Sequence, residues 1–185
     1  AVSFDGSLGE LAVLEREECE KFAQSRGDST KELREVLKQQ NNLRLETREI
    51  KGNLAGNRAS GTGGTSVGNK LVMMAALRAA AAPSVKSGDL WFYCDGDDTL
   101  LFLSSKITNT FDDMDNPKGP CPLFRSWVRR LGCLGLDITV ENIAWSVSDI
   151  IFCRSKIVET VTGPMMVKIP GDAFKTQLCI VRHFK

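Results

Sequence analysis

The spacing of apolar and polar residues along the chain predicts four helices. They cover residues 11–22, 29–40, 67–82 and 123–131. The second helix opens on Ser29-Thr30-Lys31-Glu32, a capping box in which hydroxyl and carboxylate oxygens accept hydrogen bonds from the first backbone N–H groups. The third is rich in alanine and leucine, which predicts a well-buried helix that ends at Pro83.

Shorter runs of apolar residues predict strands between these helices. They cover residues 1–4, 43–47, 90–92, 99–103, 136–140, 150–153, 157–158 and 165–169. Residues 52–64, rich in glycine and asparagine, and residues 112–122, which contain proline, predict loops. The order of elements indicates an α/β (α+β) fold with an antiparallel sheet that is covered by helices on one face.

The most informative segment joins two of these strands. Tyr93-Cys94-Asp95-Gly96-Asp97-Asp98 separates two apolar runs, and Asp95-Gly96 predicts a tight hairpin turn. Two further carboxylates at the exposed tip, on Asp97 and Asp98, repel each other and gain nothing from burial, which a cation-binding role would explain. Taken by themselves, these residues are equally compatible with a solvated acidic turn, since such turns are common on protein surfaces. A helix-loop-helix calcium site is excluded, because Leu100 stands where its glycine is required.

Length and composition set limits on the kind of protein. The chain has 185 residues, of which 42% are hydrophobic and 25% charged, as in one globular domain. Its formal charge of +1 gives no sign of a basic nucleic-acid surface, and its six cysteines lack a Cys-x-x-Cys pair, so we expect reduced structural thiols. It opens at Ala1 without an initiator methionine, which suggests a segment of a larger polypeptide, and it shows no membrane span or signal peptide.

Three segments are expected to form one site. A strand ends at Asp5 and is followed by Glu10, a flexible loop from Ser60 leads into the buried helix at Asn69, and the third segment is the acidic hairpin. Two carboxylates, Asp5 and Asp97, could then hold a pair of divalent cations. Ligation by oxygen alone points to magnesium or manganese and not to zinc.

These segments and their order resemble the palm domain of viral RNA-dependent RNA polymerases, with details closest to the tombusvirus-like group of positive-strand RNA viruses. The resemblance covers nearly the whole chain. It rests on the metal-binding aspartate of the first motif, a Ser-Gly, Thr and Asn series in the second and Gly-Asp-Asp in the third. The matching residues are Asp5; Arg58, Ser60, Gly61, Thr65 and Asn69; and Gly96, Asp97 and Asp98. Residues 135–141 with 150–154 resemble the fourth motif running into the fifth, and residues 166–170 the strand that follows.

The resemblance implies an RNA-templated nucleotidyltransferase. Two Mg²⁺ or Mn²⁺ ions would be held by Asp5, Asp97 and, more weakly, Asp98, while Ser60, Thr65 and Asn69 would read the ribose of the nucleoside triphosphate. The partners would be template RNA, nascent RNA and the rest of the viral replicase, in host cytoplasmic complexes that are membrane-associated through regions outside this segment. Residues 1–185 would be the palm core with fingers and thumb largely missing, so the isolated segment should be inactive.

Two departures from the family pattern leave alternatives open. Glu10 stands where the first motif usually carries a second aspartate, and residues 132–142 lack the lysine that often serves the fourth motif. The competing interpretations are a reverse transcriptase or DNA polymerase palm, a catalytically inactive palm that acts as an interaction module, and a plain metal-binding domain.

Overall fold

The computed structural model describes residues 11–40, 42–46, 48–55 and 65–171. Its helices are α1 (Ala12–Ser25), α2 (Thr30–Gln40), α3 (Thr65–Ala80), α4 (Ala82–Lys86), α5 (Ser105–Thr108) and α6 (Pro122–Cys133), with a short 3₁₀ turn at Val147–Asp149. Its strands are β1 (Asn42–Glu46), β2 (Lys51–Ala55), β3 (Leu90–Asp95), β4 (Asp98–Leu103), β5 (Ile151–Phe152), β6 (Ser155–Thr160) and β7 (Gly163–Lys168). The predicted mixed class with antiparallel pairing is confirmed.

The described strands form three small antiparallel sheets, β1–β2, β3–β4 and β5–β6–β7. The first two lie in a compact unit of residues 1–139 and the third in a unit of residues 140–185. Each unit is described by itself below.

Helix α3 forms the centre of the first unit. Val72, Met73 and Ala76 on one side of it are almost completely buried, and Leu11 and Leu131 from outside the helix belong to the same apolar cluster. Each large apolar side chain that is fully buried in this way stabilises the fold by about 1.5–3 kcal/mol. The buried alanines of α3 leave room for its neighbours to pack closely.

The β3–β4 hairpin places one face on this core. Phe92 and Cys94 of β3 and Leu101 of β4 pack in the cluster around α3. Side chains alternate along a strand, so the next residues face the other way, and Trp91 and Tyr93 are 70% and 57% exposed. The expectation that helices cover one face therefore holds for this hairpin.

Three sequence-based assignments in the first unit need correction. Residues 136–140 form no strand, although Leu136 is buried, because the Leu136 N–H bonds back to the Leu131 carbonyl at the end of α6 and none of the described strands pairs with them. Residues 52–55 belong to β2 and are not a loop, because they pair with β1. Pro83 lies in the first turn of α4, where its missing N–H costs nothing, while α3 already ends at Ala80.

The second unit is a three-stranded meander. The predicted strands at 157–158 and 165–169 are confirmed as β6 and β7, and the one at 150–153 is shortened to β5. Cys153 and Arg154 form the turn between β5 and β6 with φ of 49° and 57°. Two left-handed residues in succession give the turn that matches strand twist, although neither is the glycine or asparagine usually found there.

Candidate functional site

The turn of the β3–β4 hairpin carries the acidic residues that the sequence singled out. Asp95 and Asp98 are register partners, so Gly96 and Asp97 are the two central residues. Gly96 has a φ of +69°, which suits the turn type that has glycine first. The sequence predicted Asp95-Gly96 as the central pair of the turn, which is one residue too early. An Asp-Gly pair alone does not show whether the glycine is the first or the second central residue.

Asp97 and Asp98 present hard oxygen donors at this tip, since both residues are exposed. The neighbouring thiol is not available as a ligand: Cys94 is buried, and burial raises the pKa of its thiol above the ordinary value. The carboxylate donors at the tip therefore fit Mg²⁺ or Mn²⁺ and not a thiophilic metal.

A complete metal site is not assembled from the part of the chain that the structure describes. Within 11–40, 42–46, 48–55 and 65–171, no three His, Cys, Asp or Glu residues are grouped so that they could hold an ion. Asp5 lies outside these ranges, as do Glu10, Arg58, Ser60 and Gly61, so the predicted meeting of Asp5 with Asp97 stays a prediction.

The first turns of α3 lie beside the acidic turn. Thr65 is the first residue of α3, and Asn69, one turn further, is buried with 6% of its surface exposed. The next residue, Lys70, forms an ion pair with Asp95, with 2.7 Å between Nζ and Oδ1. The contact lies at the turn end of the hairpin, so the start of α3, where the sequence predicts the second motif at Thr65 and Asn69, lies at the same end of the hairpin as Asp97.

The sequence missed two features of the first unit. Asp95 was assigned only a role in the turn, but it is the partner of Lys70, which was not singled out at all. Glu15 in α1 is nearly fully buried, and the sequence pattern did not single it out either. Its spacing of four from buried Leu11 was the available signal, because residues at that spacing share a helix face.

Asp89, just before β3, stabilises the other end of the hairpin. Its carboxylate accepts hydrogen bonds from the Ser87 hydroxyl at 2.7 Å and the Ser104 hydroxyl at 2.9 Å, and Lys106 Nζ lies 3.4 Å away. The two hydroxyls, followed by the Lys106 charge, hold the pKa of the Asp89 carboxyl below its ordinary value. The Ser104 N–H also donates to the Asp89 carbonyl at 2.9 Å, so side chains and backbone close the hairpin together.

Helix α6 anchors the far end of α3. The Arg130 guanidinium donates to the Ala80 carbonyl at 2.8 Å, at the end of α3 where carbonyls lack partners within the helix. Arg130 thus satisfies a backbone acceptor and places a positive charge at the negative end of the helix dipole. The helix that leads to the acidic turn is therefore held at both ends, by Lys70 and by Arg130.

Comparison with known proteins identifies the family. A family profile described as viral RNA-dependent RNA polymerase matches residues 5–185, while no curated protein sequence matches the chain. No helix among the described residues is long and apolar enough to cross a membrane. The family match covers nearly the whole chain and includes the acidic turn and both ends of α3. The chain therefore belongs to the family of viral RNA-dependent RNA polymerases.

Proposed function

We propose that this chain is the catalytic palm of a replicase from the tombusvirus-like group, and that it copies template RNA by two-metal nucleotidyl transfer. The observation that supports this assignment most strongly is the 2.7 Å contact between Lys70 and Asp95. It brings the start of α3, with Thr65 and Asn69, to the turn that carries Asp97 and Asp98. A metal-binding motif and a motif that reads the nucleotide must meet in this way to act on one substrate.

The exposed carboxylates at the turn are suited to hold divalent ions. Asp97, together with Asp5, would be the principal ligand of two Mg²⁺ or Mn²⁺ ions, and Asp98 a weaker one. When bound, such ions activate the attacking 3′-hydroxyl and neutralise the charge that develops on the leaving pyrophosphate. The rigid hairpin contributes by fixing the carboxylates before substrate arrives, so little reorganisation is needed during the reaction.

Asn69 and Thr65 are placed to recognise the nucleotide sugar. Asn69 is buried at the hairpin end of α3, where its amide can be held in one orientation. A preoriented amide can distinguish a 2′-hydroxyl from hydrogen, because only the hydroxyl can form a hydrogen bond with it. Ser60 and Gly61, Arg58 and Glu10 would complete the nucleotide site.

The decisive experiment replaces Asp97 by asparagine in the full-length polymerase. Asp97→Asn keeps the shape of the side chain and removes its charge, so RNA-templated nucleotide incorporation should fall by about a hundredfold or more. Asp115→Asn, the same change at an exposed aspartate in the loop before α6, should leave incorporation unchanged. Normal turnover by Asp97→Asn would reject the assignment.

The same assay distinguishes an RNA-dependent RNA polymerase from the competing functions proposed for a palm domain. Incorporation of ribonucleotides on an RNA template supports a replicase, whereas preferential incorporation of deoxyribonucleotides would indicate a reverse transcriptase or DNA polymerase. Mn²⁺ binding without incorporation by the full-length protein would indicate an inactive palm.

The proposed partners are template and nascent RNA, nucleoside triphosphates and the rest of the replicase. The proposed location is a membrane-associated complex in the host cytoplasm, anchored by other regions, and residues 1–185 alone should not polymerise.

A further inference from the structure

The acidic turn concentrates negative charge in four residues. Asp95, Asp97 and Asp98 surround Gly96, and Asp95 and Asp98 stand directly opposite each other where the strands close. Like charges that face each other across a strand pair destabilise the pairing. A positive charge nearby would offset part of this repulsion.

Lys70 supplies that charge from a different element. Its ammonium lies 2.7 Å from Oδ1 of Asp95, and the two side chains are 34% and 44% exposed. The pair is thus partly shielded from water, unlike a pair on an open surface. Because Lys70 directly follows Asn69, a contact at Lys70 also fixes where the buried amide lies relative to the turn.

We propose that Lys70 is a positioning residue and an internal counter-ion of the acidic turn: it pairs with Asp95, so that of the three carboxylates at the turn only those of Asp97 and Asp98 receive cations, and it aligns Asn69 with them. This inference rests on the proposed function, since it concerns the metal and sugar sites of that reaction. It explains why a third carboxylate can border the metal-binding turn without becoming a ligand.

Removal of Lys70 and removal of Asp95 are predicted to change the affinity for divalent cations in opposite directions. Without Lys70, Asp95 becomes a third negative charge that attracts divalent ions. Without Asp95, the positive charge of Lys70 is no longer balanced by that carboxylate and weakens the binding of divalent ions. Removing both charges together should restore the wild-type affinity, which a merely structural contact would not do.

The test measures Mn²⁺ binding to the full-length protein by electron paramagnetic resonance, without substrate. Lys70→Met should bind Mn²⁺ about three- to tenfold more tightly and Asp95→Asn about threefold more weakly, the scale of one unit charge near a divalent ion in a partly exposed site. The double variant and Lys70→Arg should bind as the wild type does. Lys106→Met removes the lysine near Asp89 at the other end of the hairpin and should change nothing.

Sugar selection gives a second readout. The ratio of ribonucleotide to deoxyribonucleotide incorporation should fall at least about threefold in Lys70→Met, because slight misplacement of a positioned group can cost up to about a hundredfold. Lys70→Arg should retain the ratio.

Two outcomes would separate the failure of this inference from that of the proposed function. If Asp97→Asn abolishes incorporation but Lys70→Met and Asp95→Asn behave like Lys106→Met, the role of Lys70 is refuted and the polymerase assignment stands. If Asp97→Asn changes neither Mn²⁺ binding nor incorporation, the polymerase assignment itself falls, and this inference with it.

Discussion

The two ends of the β3–β4 hairpin use aspartate in opposite ways. At the open end, Asp89 is held by two hydroxyls and a lysine and forms part of the structure. At the turn, Asp97 and Asp98 are exposed, and the adjacent Asp95 receives the lysine. A carboxylate that accepts several protein donors fixes a strand, whereas an exposed carboxylate can still exchange ligands with solvent. The contrast separates Asp89, which stabilises the hairpin, from Asp97 and Asp98, which are proposed to hold cations.

The largest expected effects come from removing the charge of Asp97 or of Asp89, one acid from each end of the hairpin. Asp97→Asn should lower incorporation by about a hundredfold or more with no loss of thermal stability, because it removes a charge from a crowded turn. Asp89→Asn should lower the melting temperature while the remaining folded protein stays active. Equal effects of the two variants on both activity and melting temperature would abolish the distinction.

The next prediction concerns the helix on which the hairpin packs. Ala76 of α3 is fully buried, so Ala76→Leu forces extra volume into the core and should lower the free energy of unfolding by about 1–3 kcal/mol. Ala79 is exposed on the same helix, and Ala79→Leu should change the free energy of unfolding by less than about 0.5 kcal/mol. Denaturation with urea measures both variants. Equal values would mean that the core around α3 does not support the hairpin as described.

Asn69 tests whether the site extends from the turn into α3. Asn69→Ala should lower selection of ribonucleotides over deoxyribonucleotides by about tenfold or more, because the amide that would bind the 2′-hydroxyl is lost. Asn109→Ala, at an exposed asparagine after α5, is the matched control. Single-nucleotide incorporation with both sugars measures the ratio. An unchanged ratio in Asn69→Ala would remove Asn69 from the ribose site.

The smallest predicted effect is the pH dependence of the Asp89 anchor. Its pKa is lowered in the folded state, so its stabilisation is fully present above the unfolded value of about 3.9 and is lost as the pH falls through the folded value. The difference in urea midpoint between wild type and Asp89→Asn should therefore be constant near neutral pH and shrink below about pH 4. A difference that grows on acidification would contradict the anchor.

Local sequence rules determined much of the described fold. Helical spacing located α1, α2, α3 and α6, and an Asp-Gly pair between apolar runs located the β3–β4 hairpin, because side-chain periodicity and turn chemistry act over a few residues. The crowded carboxylates at the turn identified Asp97 and Asp98 as candidate site residues, while Thr65 and Asn69 became candidates through the resemblance to viral RNA-dependent RNA polymerases. Local sequence rules also predicted a strand at 136–140, where apolar alternation is present but the Leu136 N–H bonds to the end of α6 and no strand within residues 11–40, 42–46, 48–55 and 65–171 pairs with it.

Only the tertiary structure decided which charges meet. Lys70 of α3 and Asp95 of β3 lie on different elements with helix α4 between them in the chain, and no spacing rule connects them. Their contact exists because α3 and β3 pack through the shared apolar core, which brings the start of the helix to the end of the strand. The sequence by itself determined that this hairpin carries exposed acids. The packing of α3 determined that Asp95 would have a counter-ion, because the free energy that joins the two elements comes from buried apolar area and not from the charges.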